Sequence, residues 1–500
     1  MLKYLSMNFL KQSWLFIASH FPENRAKWKL YLTYSLPIIL TGVFFSLNNF
    51  VDNFMVTNIE KGVASLSYAN AWTGIINAII AGIMIITSVF IGQYYGTYNY
   101  WRIRQVTRIR VILLLVFTSI FAILSWSIPR NMIQIFYANS NPDSQTLQQS
   151  IDYLQLIVIT WIIYIWTAPM SSLLTETGHG REAFISSIGS LLLNITLNIL
   201  FIYILKMGVK GAAYASIVAR IFGIFGDTIF VYLKIKKCFI TPWSIFRVTK
   251  EIWKKILIRL HSAAILSTNI ILIIFRDRFY NLMYPEGSIG NYEWKIGAAS
   301  ILGLTTAISS VFLQIGSILG SNVAIFVSTH LGKKEFEIAK KQANELKGFH
   351  FSLALFLGIV LALVALCIPH ISYFADKIPL EGKKTYLFEL QQTILVIAFF
   401  NPIWVWYLTS ARLISSGGRT NIVPIIDLIL ELLSIAWIAT MTYAIQPKNL
   451  GWSLFQAYWV FFTIDILKFC VYEITYLITD WARNIDDVNH RTKLWDKNVS

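Results

Sequence analysis

Residues 30–56 read LYLTYSLPIILTGVFFSLNNFVDNFMV, a run in which Asp52 is the only charged side chain. As an α-helix this run would be about 40 Å long, enough to cross the hydrocarbon core of a bilayer. Eleven further apolar runs follow it, and each is predicted to be helical because backbone groups inside a bilayer must be hydrogen-bonded within the chain. The sequence therefore predicts an all-α polytopic membrane protein with twelve transmembrane helices. The predicted spans are 30–56, 67–96, 108–128, 153–176, 183–205, 211–233, 256–284, 296–331, 349–370, 389–412, 421–446 and 452–479.

The composition of the 500 residues supports this class. Hydrophobic residues make up 56% and charged residues 14%, whereas soluble domains hold about 45–50% and about 25%. These proportions exclude a soluble globular protein and a disordered chain. The three cysteines lack the spacing of a metal site or a disulfide framework. Residues 1–29 carry five cations and show no cleavable signal pattern, so the first apolar run is predicted to stay as a span.

The basic residues are distributed asymmetrically. The N-terminus, the even-numbered loops and the C-terminus hold 29 of the 42 Lys and Arg residues, and the opposite loops hold 9. The positive-inside rule then places both termini in the cytoplasm, in a protein of the cell membrane. Topology thus explains the net charge of +16, and no nucleic-acid partner is expected.

The chain repeats internally. IGQYYG at 91–96 corresponds to VSTHLG at 327–332, and TGHGR at 177–181 corresponds to SSGGR at 415–419, at offsets of 236 and 238. The repeat predicts two six-helix lobes related by an axis along the membrane normal, an arrangement that flanks a central substrate site in transporters. The predicted division is a cytoplasmic segment 1–29, an N-lobe 30–233, a linker 234–255, a C-lobe 256–479 and a cytoplasmic tail 480–500.

The first span carries a candidate proton site. Asn48 and Asn49 precede Asp52 by four and three residues, so the three side chains share one helix face. Burial disfavours the charged form of a carboxyl group, which lets Asp52 take up and release a proton near neutral pH. Pro37 removes a backbone hydrogen bond, and the bend or the freed carbonyl can line a cavity. The alternative is an interfacial aspartate at the outer end of the helix.

Polar stripes mark two further helices. Ser187, Ser190, Asn194 and Asn198 share one face of the fifth span, either as interhelical hydrogen-bonding groups or as a cluster that meets Asp52. Asn77 of the second span belongs to a group of small and amide residues that suits a wet cavity.

In the C-terminal half, Gln314 of the eighth span belongs to a similar group of small and amide residues. Asp427 and Glu431 lie one turn apart in the eleventh span. Two such carboxylates cannot both ionise cheaply in a low dielectric, so the pair is predicted to share a proton or to bind a cation. A helix-surface pair is the alternative.

No enzymatic motif occurs in the sequence. There is no Walker loop, no HExxH and no Cys/His metal spacing. We therefore predict that the chain is not an enzyme and needs no cofactor or metal.

At Pro37, Asp52, GQYYG at 92–96, GHGR at 178–181 and GVKGAAYAS at 208–216, the chain resembles the multidrug and toxic compound extrusion (MATE) family. The resemblance implies a twelve-helix exporter that exchanges an organic cation or drug for external H⁺ or Na⁺. The MATE family is part of the wider drug and oligosaccharide exporter superfamily.

The resemblance also implies site residues. Asp52 falls on the family's first-helix aspartate, Ser46 where some members have threonine, and Asn194 on the fifth-helix asparagine. Asn198 stands where many members carry aspartate, and Trp404 near an aspartate of sodium-coupled members. These departures favour H⁺ over Na⁺ as the coupling ion.

Three functions remain open at this point. The first is a proton-coupled antiporter for organic cations, drugs or metabolites, working as a monomer in the lipid bilayer. The second is a flippase for lipid-linked oligosaccharide, whose cavity would be more cationic than the intramembrane residues here. The third, a membrane-embedded transferase, would need a catalytic acid and base at one membrane face.

Overall fold

The computed structural model describes residues 19–56, 59, 62–134, 144–284, 298–371, 380–445 and 451–486. The regular structure of this part is helical, and it contains no strand. The α-helices are α1 Arg25–Met55, α2 Gly62–Gly96, α3 Tyr100–Ser127, α4 Pro129–Gln134, α5 Ser144–Glu176, α6 Gly180–Asn198, α7 Val209–Lys234, α8 Lys250–Leu257, α9 Leu260–Met283, α10 Ala298–Phe312, α11 Gly316–Asn322, α12 Thr329–Gly332, α13 Phe336–Cys367, α14 Leu380–Ser416, α15 Ile422–Thr440, α16 Leu454–Phe462 and α17 Ile464–Ile478. Wider π-helical turns follow three of them, at Ile199–Ile204, Val323–Ser328 and Met441–Ile445, and short 3₁₀ turns lie at Lys236–Cys238, Pro242–Ser244 and Ile368–His370.

The predicted fold class is confirmed. Within the described residues, 12 helical segments are long and apolar enough to cross a membrane, which makes the chain a multi-pass membrane protein. Some helices are longer than the apolar runs that predicted them. Helix α5 begins at Ser144 rather than at residue 153, because the polar stretch SQTLQQSID continues the helix beyond the apolar part.

The chain packs as two compact units. One unit is Leu36–Ile271, and the other joins Leu272–Ser500 with the chain up to Ser35. The two divisions therefore fall inside α1 and α9, and each of these helices contributes to both units. The lobe limits 30–233 and 256–479 follow the sequence repeat and stay a prediction.

The internal repeat recurs in the packing of each unit. Trp166 of α5 donates its indole N–H to Thr228 of α7 at 3.0 Å. Trp404, 238 residues later, donates its indole N–H to Asp465 of α17 at 2.7 Å. The same offset aligns Asp465 with Asp227, which is next to Thr228. Each unit thus uses an equivalent tryptophan to bind an equivalent position of one helix, α7 in one unit and α17 in the other.

Helix α1 continues through Pro37 without ending. Proline lacks the N–H that would bond the carbonyl of Thr33, four residues earlier. The hydroxyl of Thr41 donates to the carbonyl of Pro37 at 2.9 Å, so this part of the helix is held partly by a side chain. A bend at Pro37 stays a prediction.

Candidate coupling site

Three helices of the unit Leu36–Ile271 bring four polar side chains together. Asn198 of α6 donates its amide N–H to Oδ1 of Asp52 of α1 at 2.7 Å. Ser216 of α7 donates its hydroxyl to Oδ2 of the same carboxylate at 3.0 Å. Both oxygens of Asp52 therefore accept a hydrogen bond from another helix.

The network closes through Asn194, one turn before Asn198 on α6. Asn198 also donates to Oδ1 of Asn194 at 2.9 Å, and Asn194 donates to the hydroxyl oxygen of Ser216 at 3.3 Å. The four residues are buried: Asn194 and Asn198 are 0% exposed, and Asp52 and Ser216 are each 6% exposed. A buried polar network of this kind holds its members in one geometry.

The local sequence explains how the helices approach. Steps of four residues place Asn194 and Asn198 on the same face of α6. Ser216 lies in the small-residue run GAAYAS of α7. At Gly211, which begins this run, a Cβ atom would lie only 3.1 Å from the backbone carbon of Phe201. Small residues thus let α7 come close to the chain that follows α6.

A cation lies near this network. The guanidinium of Arg220, four residues after Ser216 on α7, stacks over the rings of Phe45 and Tyr164 at 5.1 and 5.0 Å. Its charge acts on the Asp52 carboxylate. A buried carboxylate with hydrogen-bond donors on two other helices and a cation nearby is an arrangement typical of functional sites.

The structure brings together three of the four residues predicted for proton coupling. Ser46 is also buried on α1, but the hydroxyl that donates to Asp52 is that of Ser216. The side chains of Asn48 and Asn49 lie outside the described residues. The predicted roles of all these residues in coupling stay predictions.

The two other residues predicted to line a wet cavity lie in α2 and between α10 and α11. Asn77 of α2 is exposed. Gln314, between α10 and α11, is half-buried and donates its amide to the carbonyl of Ser310 at 2.6 Å. A shared cavity for these residues stays a prediction.

In the other unit, Asp427 and Glu431 have separate partners. Glu431 is 5% exposed and pairs with the ammonium of Lys468 at 3.1 Å. Lys468 also pairs with Asp465 at 3.2 Å. Asp427 accepts a hydrogen bond from the hydroxyl of Tyr472. The cation beside Glu431 is thus a lysine of the chain itself, and binding of a proton or a substrate by this carboxylate pair stays a prediction.

Sequence reasoning missed two features. Ser216 was noted only within GVKGAAYAS, where small residues indicate close packing rather than a hydrogen-bond donor. The second is a buried ion pair: Arg110 of α3 binds Glu176 of α5 through two hydrogen bonds of 2.9 and 2.8 Å. Arg110 lies near the end of a predicted span, where a cation in the sequence indicates topology rather than a buried ion pair.

Comparison with known proteins supports the resemblance. Residues 37–200 match the sequence model of the MatE family, a range that begins at Pro37 and contains Asp52, Asn194 and Asn198. An uncharacterized membrane protein of Methanocaldococcus jannaschii is 26% identical over 206 residues, 41% of this chain. The match spans 46%, about half, of that relative's length.

Solved structures share the fold. A MATE crystallised in complex with MaL6 superposes with a TM-score of 0.71 at 17% identity, over 90% of this chain and 96% of that chain. A MOP superfamily transporter from Pyrococcus furiosus gives 0.70 at 16% identity, over 90% and 96%. A Vibrio cholerae MATE transporter gives 0.70 at 14% identity, over 91% and 98%. The chain therefore has the MATE transporter fold, and its residues 37–200 carry the sequence pattern of the MatE family.

Proposed function

We propose that this protein is a secondary antiporter that exports organic cations in exchange for protons by alternating access. The observation that carries the proposal is the buried Asp52 carboxylate, which accepts hydrogen bonds from Asn198 and Ser216 on two other helices. The match of residues 37–200 to the MatE family and the fold supports the assignment to membrane transporters. The proposal includes a small-molecule substrate and no enzymatic activity.

Protonation of Asp52 would change how three helices are held together. An ionised carboxylate accepts hydrogen bonds through both oxygens, whereas a protonated one carries a donor on one of them. The N–H of Asn198 and the hydroxyl of Ser216 now meet the two oxygens, so a proton on Asp52 forces at least one contact to reverse or break. The amide N–H cannot reverse its role, but the serine hydroxyl can. Protonation would therefore reorganise the contact between α1 and α7 first.

The same carboxylate offers a basis for exchange. A proton and an organic cation compete for a single negative charge, so binding of one favours release of the other. Asn198 is an amide and cannot ionise, which leaves one titratable carboxyl group in this network. We therefore propose one proton for each cycle at this site, with H⁺ rather than Na⁺ as the coupling ion.

The test is transport in liposomes that contain the purified full chain. With a pH gradient imposed, the wild-type protein should expel ethidium, and collapse of the gradient should stop the export. Asp52→Asn should abolish gradient-driven export while the protein folds normally. Asp152→Asn is the matched control, because Asp152 is a partly exposed aspartate that pairs with Lys210 at 3.1 Å. That variant should transport like the wild type.

Other results would contradict the proposal. Export of ethidium at the wild-type rate by Asp52→Asn would remove this carboxylate from the mechanism. Export that is driven by a sodium gradient and does not depend on the pH gradient would identify Na⁺ rather than H⁺ as the coupling ion. Transbilayer movement of a fluorescent lipid pyrophosphate, without any ethidium export, would favour the oligosaccharide flippase.

The cellular site proposed for the protein is the cell membrane, with a monomer as the working unit and both termini in the cytoplasm.

A further inference from the structure

A further carboxylate is buried in the unit Leu36–Ile271, and the function proposed above does not use it. Asp227 of α7 is 4% exposed. Its Oδ1 atom has no hydrogen-bond partner among the described residues, and the polar side chain that acts on the carboxylate from α6 is Ser186. An unsatisfied carboxylate oxygen away from water is costly, which indicates a role beyond packing.

Asp227 and Asp52 lie at two ends of one polar stripe. Ser186, Ser190, Asn194 and Asn198 follow one another on α6 in steps of four residues, so all four share one face. Asn198 and Asn194 belong to the Asp52 network, and Ser186 contacts Asp227. The stripe therefore connects the two carboxylates along α6.

Helix α7 presents small residues to this stripe. Ser190 donates its hydroxyl to the carbonyl of Ala219 at 3.1 Å. A Cβ atom at Gly223 would lie 3.1 Å from the Ser190 hydroxyl oxygen, and one at Gly226 would lie 2.5 Å from the Ser186 hydroxyl oxygen. Apolar side chains are thus absent from α7 at these two positions, and the serine hydroxyls lie against backbone.

The stripe runs toward the basic end of α7. Asp227 is about 16 Å along this helix from Ser216 and about 10 Å from Lys234, where the helix ends. The residues that follow include the cationic segment 234–259, which the charge distribution places in the cytoplasm. Asp227 thus lies between the Asp52 network and the predicted cytoplasmic face.

The internal repeat shows what is special about Asp227. At the offset of 238, Asp465 is its equivalent, and Asp465 is paired with Lys468 at 3.2 Å and with the indole of Trp404 at 2.7 Å. The residue equivalent to Lys468 is Phe230. The C-terminal carboxylate therefore forms an ion pair with a lysine of its own helix, whereas no lysine among the described residues forms an ion pair with the N-terminal one.

Asp227 is surrounded by few polar or charged groups of the described residues. On α6 it meets Ser186, and on α5 Trp166 donates to the neighbouring Thr228 rather than to Asp227. The charge that acts on it belongs to Arg220 of its own helix, which acts on Asp52 as well. Within the described part of the chain, no cation lies within 4 Å of its carboxylate.

We propose that Asp227 is a second proton carrier, which receives the proton that leaves Asp52 and passes it to the cytoplasmic face. The inference rests on the proposed antiport function. The O–H bond at Asp52 breaks as an O–H bond forms at Asp227, and the Ser190 and Ser186 hydroxyls with intervening water molecules carry the proton between them. No oxidant, reductant or cofactor is involved.

The experiment measures proton movement into the lumen of liposomes with a trapped pH dye, driven by an ethidium gradient. Asp227→Asn should slow proton movement at least ten-fold, while ethidium affinity and its competition with protons at Asp52 stay within two-fold. Asp227→Glu should keep at least half of the wild-type rate. Formate should restore ethidium-driven proton movement in Asp227→Ala above the leak that formic acid itself causes in protein-free liposomes, an effect that a structural role would not produce. Thr228→Ser, next to Asp227, is the control, because it keeps the hydroxyl that accepts from Trp166 and should behave like the wild type.

The outcomes separate the two proposals. If the wild type moves no protons with ethidium, the antiport function itself fails. If the wild type does so and Asp227→Asn moves protons within two-fold of it, the relay is wrong and the antiport function stands. Should Asp227→Asn fail to fold, Phe230→Lys tests the same idea, because it gives Asp227 the counter-ion that Asp465 has. Slow proton movement in Phe230→Lys supports the relay, and a wild-type rate overturns it.

Discussion

Asn198 donates its side-chain amide to Asp52 at 2.7 Å, across 146 residues of sequence. The amide stands where a carboxylate would give the network a second titratable group. It therefore supplies a hydrogen bond without a charge, and the site keeps a single carboxylate. The proton stoichiometry of transport at this site should follow from that one residue.

Asn198→Asp should raise the number of protons exchanged for each ethidium. Two carboxyl groups at hydrogen-bond distance cannot both ionise cheaply in a buried site, so one of them should take up an additional proton. The measurement is the ratio of proton to ethidium flux in liposomes. Asn198→Leu is the companion variant, because it removes the donor without adding a charge and should lower transport. An unchanged ratio in Asn198→Asp would show that this position does not set the stoichiometry.

Breaking the ion pair between Arg110 and Glu176 should lower the thermal stability of the protein. Arg110 is 0% exposed and also donates to the hydroxyl of Thr87 at 2.7 Å. Removal of one member of a buried pair leaves an uncompensated charge, at a cost of about 3–5 kcal/mol. Arg110→Met should therefore lower the thermal unfolding temperature in detergent more than the double variant Arg110→Met/Glu176→Leu does. Equal stability of the single variant and the wild type would contradict this reading.

Lys468 should decide what Glu431 can bind. Because this lysine already pairs with both Glu431 and Asp465, Glu431→Gln should weaken ethidium export less than Asp52→Asn does. Asp427→Asn should have a smaller effect still, because Asp427 lies nearer the predicted cytoplasmic end of the helix, where it accepts a hydrogen bond from Tyr472. Lys468→Met would leave two unpaired carboxylates and should increase the affinity for ethidium, measured by fluorescence. A loss of ethidium affinity in Lys468→Met would show that the lysine does not compete with the substrate.

The fold was predictable because its cause is local. An apolar run long enough to span a bilayer is a helix whatever its neighbours are, so twelve runs predicted twelve spans. The contact of Asn194 and Asn198 with Asp52 was predictable in part, since polar residues in steps of four on an apolar helix must face a polar partner.

The remaining contacts depend on which helices become neighbours. Ser216 looks in the sequence like one more small packing residue of α7, and its hydroxyl is recognisable as a donor to Asp52 only once α1 and α7 are neighbours. Glu176 is 66 residues from Arg110, and the pair is recognisable only once α3 and α5 are adjacent. In the sequence, a basic residue near a helix end indicates membrane topology, and nothing local shows whether that residue also forms a buried ion pair.

The predicted orientation can be tested with introduced cysteines. The exposed native thiols Cys367 and Cys470 are first replaced with alanine. In intact cells, an impermeant maleimide should then label Glu286→Cys, which the charge distribution places outside, and leave Lys340→Cys unlabelled until the membrane is opened. The reverse pattern would invert the topology. Position 286 is a purely sequence-based choice, whereas Lys340 lies on an exposed face of α13.

Cys238 can stay in that background because its environment should make it unreactive. It lies between α7 and α8 and is 1% exposed, and burial raises the pKa of its thiol to about 12. The thiolate attacks maleimide. The thiolate fraction of Cys238 is negligible in the folded protein at pH 7 but larger after unfolding, where the thiol pKa is about 8.5. Because the folded pKa is the higher one, the stabilisation from the neutral thiol is complete below about pH 8.5 and is lost as the pH rises toward 12.

Labelling of Cys238 in detergent should therefore be slow at pH 7 and fast in denaturant. Cys238→Ala should weaken the loss of thermal stability between pH 8 and pH 10, and rapid labelling of the folded protein at pH 7 would refute the buried placement.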